Sequence, residues 1–158
     1  MIALGKKNGF TLIEMLIVIA IIASLSTLTL LTFGKIRRQQ RDTNRVSDMS
    51  QLQIALAAYK RDLGIYPSII TGGEEIRSVG NSTTTVYMAK VPIPPSERDG
   101  SCASYALYSS YYYLPSSDFK SYCLFFCLGN NSSELTAGAK IANPFGVVNT
   151  YLNNYQCW

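Results

Sequence analysis

Histidine is absent from all 158 residues of the chain. Its absence removes the Ser-His-Asp and Cys-His hydrolases, the HExxH metalloproteases and most zinc sites. No glycine-rich phosphate loop of either common spacing occurs, and the residues point to no enzyme. Charge is sparse and nearly balanced, with 14 basic against 10 acidic side chains for a net +4. That is too mild to argue nucleic-acid binding, which stays unsupported. Cysteine is missing from the proximal half. All four, Cys102, Cys123, Cys127 and Cys157, lie in the distal half, with no close C-x-x-C pair to suggest a metal site.

Charge is scarcest between Phe10 and Phe33, where the only ionisable side chain is Glu14, and Lys6 and Lys7 precede the run. As a helix this run rises roughly 36 Å at about 1.5 Å per residue, enough to cross a hydrocarbon core of about 30 Å. A carboxylate in such a span is costly and calls for a partner or a role. A cut between Gly9 and Phe10 would create an α-amino group four residues upstream, at the same depth as Glu14.

Lys6-Lys7-Asn8-Gly9, then Phe10-Thr11-Leu12-Ile13-Glu14 and an unbroken apolar helix, resembles the class III leader of type IV pilins and type II secretion pseudopilins. The resemblance implies that a membrane aspartyl peptidase, the prepilin peptidase, cuts after Gly9 and methylates the new amino-terminal Phe10. It also implies that Glu14 pairs with the Phe10 amine, either in its own chain or in a neighbouring subunit docking in register; both versions stay open. An ordinary secretory signal competes, with Lys6 and Lys7 as its basic region and Met15–Ala23 as its apolar core. That reading leaves Glu14 unexplained. Removal of residues 1–9 takes the net charge from +4 to +2.

Past the apolar run, Lys35, Arg37, Arg38, Arg41 and Arg45 form a basic cluster suited to anionic headgroups, with filament or DNA contact as the second reading. The cluster makes the positive-inside rule ambiguous; the leader lysines and distal cysteines favour a carboxyl terminus outside. Val46, Met49, Leu52, Leu56, Tyr59 and Leu63 then recur at spacings of three and four, the mark of an amphipathic helix. With Gly64 as C-cap and Pro67 beyond it, one helix is expected over Thr11–Leu63, roughly 80 Å long. Ser24, Ser26, Thr27, Thr29 and Thr32 stand where many family members carry a bending proline, so either local melting and close packing or simple tolerance is open.

Gly72 to Thr85 reads as a polar surface loop, Tyr87–Pro92 as a short apolar turn, and Asp99-Gly100 as a turn. Strands are expected in the tyrosine-rich stretches Tyr105–Tyr108 and Tyr111–Leu114, then from Ser121 to Leu128 after a Pro115–Asp118 loop. Ala139 to Trp158 reads as an irregular tail. Within a strand, Cys123 and Cys127 would stand ~13 Å apart, too far to bond to each other. Hairpin pairing favours Cys102–Cys127, leaving Cys123–Cys157. Gly64-Ile65-Tyr66-Pro67 and Tyr87–Pro92 are again similar to the family, which implies calcium in a nearby loop. Here Glu97 and Asp99 offer only two carboxylates beside Arg98, so neither metal nor cofactor is expected.

The expected fold is α+β: a long N-terminal helix packed on a small antiparallel sheet, the pilin fold. Residues 1–9 form the leader, 10–33 the transmembrane or filament-core helix, 34–64 its amphipathic half and 65–158 a disulfide-bonded head. The expected role is a structural subunit of a type IV pilus or a pseudopilus. Its partners would be copies of itself and related pilins in a helical filament, the prepilin peptidase, an inner-membrane assembly platform and, before assembly, membrane lipid. It would start as a single-pass inner-membrane precursor and end in an extracellular or envelope-spanning filament. The alternative is a membrane-anchored extracellular binding module that does not polymerise.

Overall fold

A single helix, α1, runs from Leu12 to Leu63. It stops where Gly64 turns into the left-handed region at φ +77° and its N–H reaches back 2.7 Å to the Lys60 carbonyl. Glycine takes that conformation without a Cβ penalty, and Pro67 discourages any resumption. The computed structural model describes residues 9–79, 84–97, 99–103, 110–132 and 134–149, with the side chains of 28–32 also outside the description. The chain divides into two compact units, residues 1–37 and 38–158.

In the first unit α1 is apolar all round and exposed all round, from Leu12 at 83% to Leu25 at 60%. Ser24, Ser26 and Thr27 donate their hydroxyls to the carbonyls of Ala20, Ile22 and Ala23, at 2.8–2.9 Å. These hydroxyls are satisfied within the helix and need no outside partner. Among the described residues no helix is long and apolar enough to cross a membrane. The apolar run itself continues through Leu28–Thr32, beyond the described side chains.

In the second unit Met49, Leu52, Ala55 and Leu56 of α1 are buried against two antiparallel sheets. Leu63, expected on that face, is 45% exposed at the helix end. The smaller sheet pairs β1 (Ile76–Val79) with β2 (Thr84–Met88). The larger has β3 (Tyr112–Pro115), β4 (Tyr122–Leu128), β5 (Gly138–Asn143) and β6 (Gly146–Asn149) in sequential order. β4 is buried on both faces. Its Tyr122, Leu124, Phe126 and Leu128 join the helix core, while Cys123 and Phe125 pack with Ile141 in a second cluster. Tyr113 donates its hydroxyl to the Pro67 carbonyl at 2.7 Å, tying β3 to the segment just past the helix, and Gln53 of α1 donates to the Asn143 carbonyl at the end of β5 at 2.7 Å.

The α+β pilin arrangement is therefore present, with three local differences from expectation. The polar stretch Gly72–Thr85 contains β1 and the start of β2 rather than a plain loop. The tail from Ala139 begins with an ordered hairpin, β5–β6, turning at Pro144-Phe145. Cys102 sits on a 3-10 turn, Gly100–Cys102, rather than near the start of a strand. The expected strand Tyr105–Tyr108 and the last residues, 150–158, lie outside the described residues.

Candidate functional site

Gly9 and Phe10 are exposed and precede the helix, with Phe10 81% accessible. Thr11 is the N-cap and Glu14 the third helical residue, and the two cap each other. The Glu14 N–H donates to Thr11 Oγ1 at 3.3 Å, and the Thr11 N–H donates back to Glu14 Oε2 at 2.7 Å. The Thr11 hydroxyl also donates to Oε2 at 2.7 Å. This is a reciprocal capping box, and it satisfies two amides that a helix start leaves without intrahelical partners. Both bonds to the carboxylate fall on one oxygen, Oε2. The other, Oε1, has no bond to a described residue.

The T-x-x-E spacing carried this signal in the sequence, but Glu14 reads first as an intramembrane charge and the cap is easily passed over. In this chain, uncut at Gly9, Glu14 is held by Thr11. Chemically the site offers a carboxylate held through one oxygen, with its other oxygen unbonded among the described residues, at the start of an exposed apolar helix surface.

The basic cluster divides. Arg41 forks onto Asp99, with Nε to Oδ2 at 2.5 Å and Nη2 to Oδ1 at 2.7 Å, and its Nη1 meets Glu97 Oε2 at 2.5 Å. Arg45 is buried, donating to Asp42 Oδ1 and to the Glu97 carbonyl, each at 2.7 Å. Arg38 stands 4.0 Å from Asp99. Arg45 is therefore buried in the second unit, and Arg41, with its side chain 19% exposed, is paired to acidic residues of that unit. The paired hydrogen bond from Arg41, with the nearby positive charges, holds the Asp99 carboxyl below its ordinary range. Asp42, also buried, accepts the N–H groups of Gly129 and Asn130 and the Asn130 side-chain amide, all at 2.9 Å.

The turn that carries Cys102 is bonded covalently to β4 through Cys102–Cys127, with a Cα–Cα separation of 5.8 Å. Cys123 is disulfide-bonded as well, and Cys157 lies outside the described residues. Among the described residues no three acidic, cysteine or histidine side chains gather to hold a metal ion. Glu97 and Asp99, the two carboxylates on the segment the resemblance associates with calcium, already face Arg41 and do not fit a cage of six to eight oxygens.

Residues 4–30 match the family model for the prokaryotic N-terminal methylation motif. The chain is 30% identical over 104 residues to the type II secretion system core protein G of Escherichia coli (strain K12), covering 61% of this chain and 72% of that protein. It is 32% identical over 95 residues to the protein of the same name from Aeromonas hydrophila, covering 60% of this chain and 61% of that one. No solved structure matches.

Proposed function

Because the chain belongs to the family of type IV pilins and type II secretion pseudopilins, we propose that it is a structural subunit of a pseudopilus, polymerised through the first half of α1. One observation carries the reading. The helix begins with a carboxylate fixed through Oε2 and, among the described residues, unbonded at Oε1, on a stretch that exposes Phe10, Leu12 and Ile13. An apolar surface of this kind is stable only in lipid or against similar helices. A free carboxylate oxygen within it accepts a cation, and the cation the proposed chemistry supplies is the amine of Phe10.

In this proposal the prepilin peptidase cuts after Gly9 and methylates Phe10, and the inner membrane holds the precursor until an assembly platform extracts it. Thr11 keeps Oε2 of Glu14, so Oε1 is directed to the Phe10 amine of a neighbouring copy or of a related subunit. Docking in register then satisfies two charges at once. The protein catalyses no reaction, and its role is mechanical. A passive membrane anchor would use the cap but would leave a charged carboxylate in its span without a partner.

Intact-mass measurement of membrane-extracted protein, with negative-stain microscopy of the filaments it forms, tests the proposal. The expected species begins at N-methylated Phe10 and is recovered in filaments. A mature start near Ser24 or Ser26 would sink it.

A further inference from the structure

All ten acidic side chains of the sequence lie among the described residues. Three of them, Asp42, Glu97 and Asp99, gather where α1 meets the segment that leads to Cys102. Glu97 and Asp99 both face Arg41, whose guanidinium makes three contacts with them. Arg45 takes the Glu97 carbonyl, so a main-chain oxygen of the same segment is engaged too. Asp42 is committed to Arg45 and to the amides of Gly129 and Asn130.

The 129–137 loop closes on itself in the same manner. Ser132 N–H donates to the Leu135 carbonyl at 2.8 Å, Leu135 N–H donates to Ser132 Oγ at 3.1 Å, and Ala137 N–H donates to Asn131 Oδ1 at 2.6 Å. Among the described residues of this loop, the Leu135 carbonyl, Ser132 Oγ and Asn131 Oδ1 each already accept an N–H donor. A hard divalent ion needs six to eight such oxygens at once.

We infer that Arg41 is the built-in cation of this unit: its guanidinium holds the Glu97–Cys102 segment on α1, so the unit stands without calcium or any other divalent ion. The geometry suits the task. A planar guanidinium matches a carboxylate with two parallel bonds, and its charge is tethered to the helix rather than drawn from solution. The segment it fixes leads straight to Cys102, so the ionic clamp and the disulfide to Cys127 hold neighbouring parts of one short stretch. The inference does not depend on polymerisation, since every residue in it belongs to the second unit.

The test is thermal unfolding of the full chain in detergent, followed by near-ultraviolet circular dichroism, in millimolar calcium chloride and again in EGTA. A calcium site loaded a hundredfold above its dissociation constant would raise the midpoint by about 10 °C. The expected result for the unaltered chain is the same midpoint in both conditions. Arg41→Gln should melt several degrees lower in both conditions, because two carboxylates alone do not make a cage of six to eight oxygens. Asp99→Asn provides a milder variant if Arg41→Gln does not fold; it too should melt lower, with no recovery in calcium. A midpoint for the unaltered chain that rises with calcium, or an Asp99→Asn chain that melts like the parent, overturns the inference.

Discussion

Tyr111 donates its hydroxyl to Asp48 Oδ2 across 2.6 Å, tying the entry of β3 to α1. Burial raises the pKa of the Asp48 carboxyl, and the bond from Tyr111 only partly opposes it. The Tyr111 hydroxyl is itself pushed up, first by burial and then by the bond to Asp48. A carboxyl raised on folding contributes stability that is full below its unfolded pKa and is lost as pH climbs through the folded one. Asp48→Asn keeps an acceptor for Tyr111 and discards the buried charge. Its melting temperature at about pH 7 should equal or exceed that of the parent, with a flatter profile between about pH 4 and 7. A lower melting temperature at neutral pH would show that Asp48 is stabilising as a charge.

Asp99 acts with the opposite sign. Its pKa is depressed by Arg41, so its contribution is present above the unfolded value and is lost as pH falls through the folded one. Below about pH 4 the chain should therefore lose stability, and Asp99→Asn should lose less than the parent over the same acid interval. Parallel acid titrations followed by tyrosine fluorescence would reveal the difference.

Thr11 and Glu14 are separable by substitution. Thr11→Ser preserves both roles of the hydroxyl and should assemble like the parent. Thr11→Val removes the cap and releases Oε2, so filament yield should fall severalfold while membrane insertion is unchanged. Glu14→Ala should insert at least as well and assemble least of all. Wild-type filament yield from Glu14→Ala would refute the docking pair.

The helix periodicity gives a contrast in stability. Leu52 is fully buried and Ile54, two residues on, is 72% exposed. Leu52→Ala should cost about 2–5 kcal/mol through transfer and cavity terms, whereas Ile54→Ala should stay within about 0.5 kcal/mol. Denaturant unfolding of the two variants side by side measures the gap.

The Cys102–Cys127 bridge closes a separation of 25 residues, so losing it should cost about 3 kcal/mol. Peptide mapping without reductant should return those two cysteines linked and Cys123 in a second linkage. A Cys123–Cys127 peptide would contradict β4.

Much of the fold was legible because its signals are local. The period of three and four from Val46 to Tyr59, the glycine at 64 and the apolar run Tyr122–Leu128 each specify an element through nearby residues alone. β1 and β2 were hidden because the first three residues of β2 are solvent-exposed, leaving no alternation to read. β5 was masked by Lys140, a lysine on the core side opposite Phe126; it is 1% exposed, with its ammonium donating to the Ala139 carbonyl at 3.0 Å. The double use of Arg41 and Arg45 could not be read at all. Apart from the local Arg45–Asp42 pair, their partners lie more than fifty residues away, and nothing in a basic cluster announces which members will turn inward.

The crossing of two glycines carries a constraint of a different kind. Gly100 adopts φ +49°, and a Cβ there would collide with the Gly129 carbonyl, while a Cβ on Gly129 would come within 2.8 Å of the Asp99 carbonyl. Neither site can give way easily, since the obstacle to each is chiefly the backbone of the facing segment. A library of variants sorted only by filament yield would therefore be depleted at Gly100 and Gly129 as severely as at Glu14. The first two would be lost because the chain cannot pass over itself, and the third because the finished subunit cannot join its neighbours. Measuring soluble folded protein beside filament yield would tell the two kinds of intolerance apart.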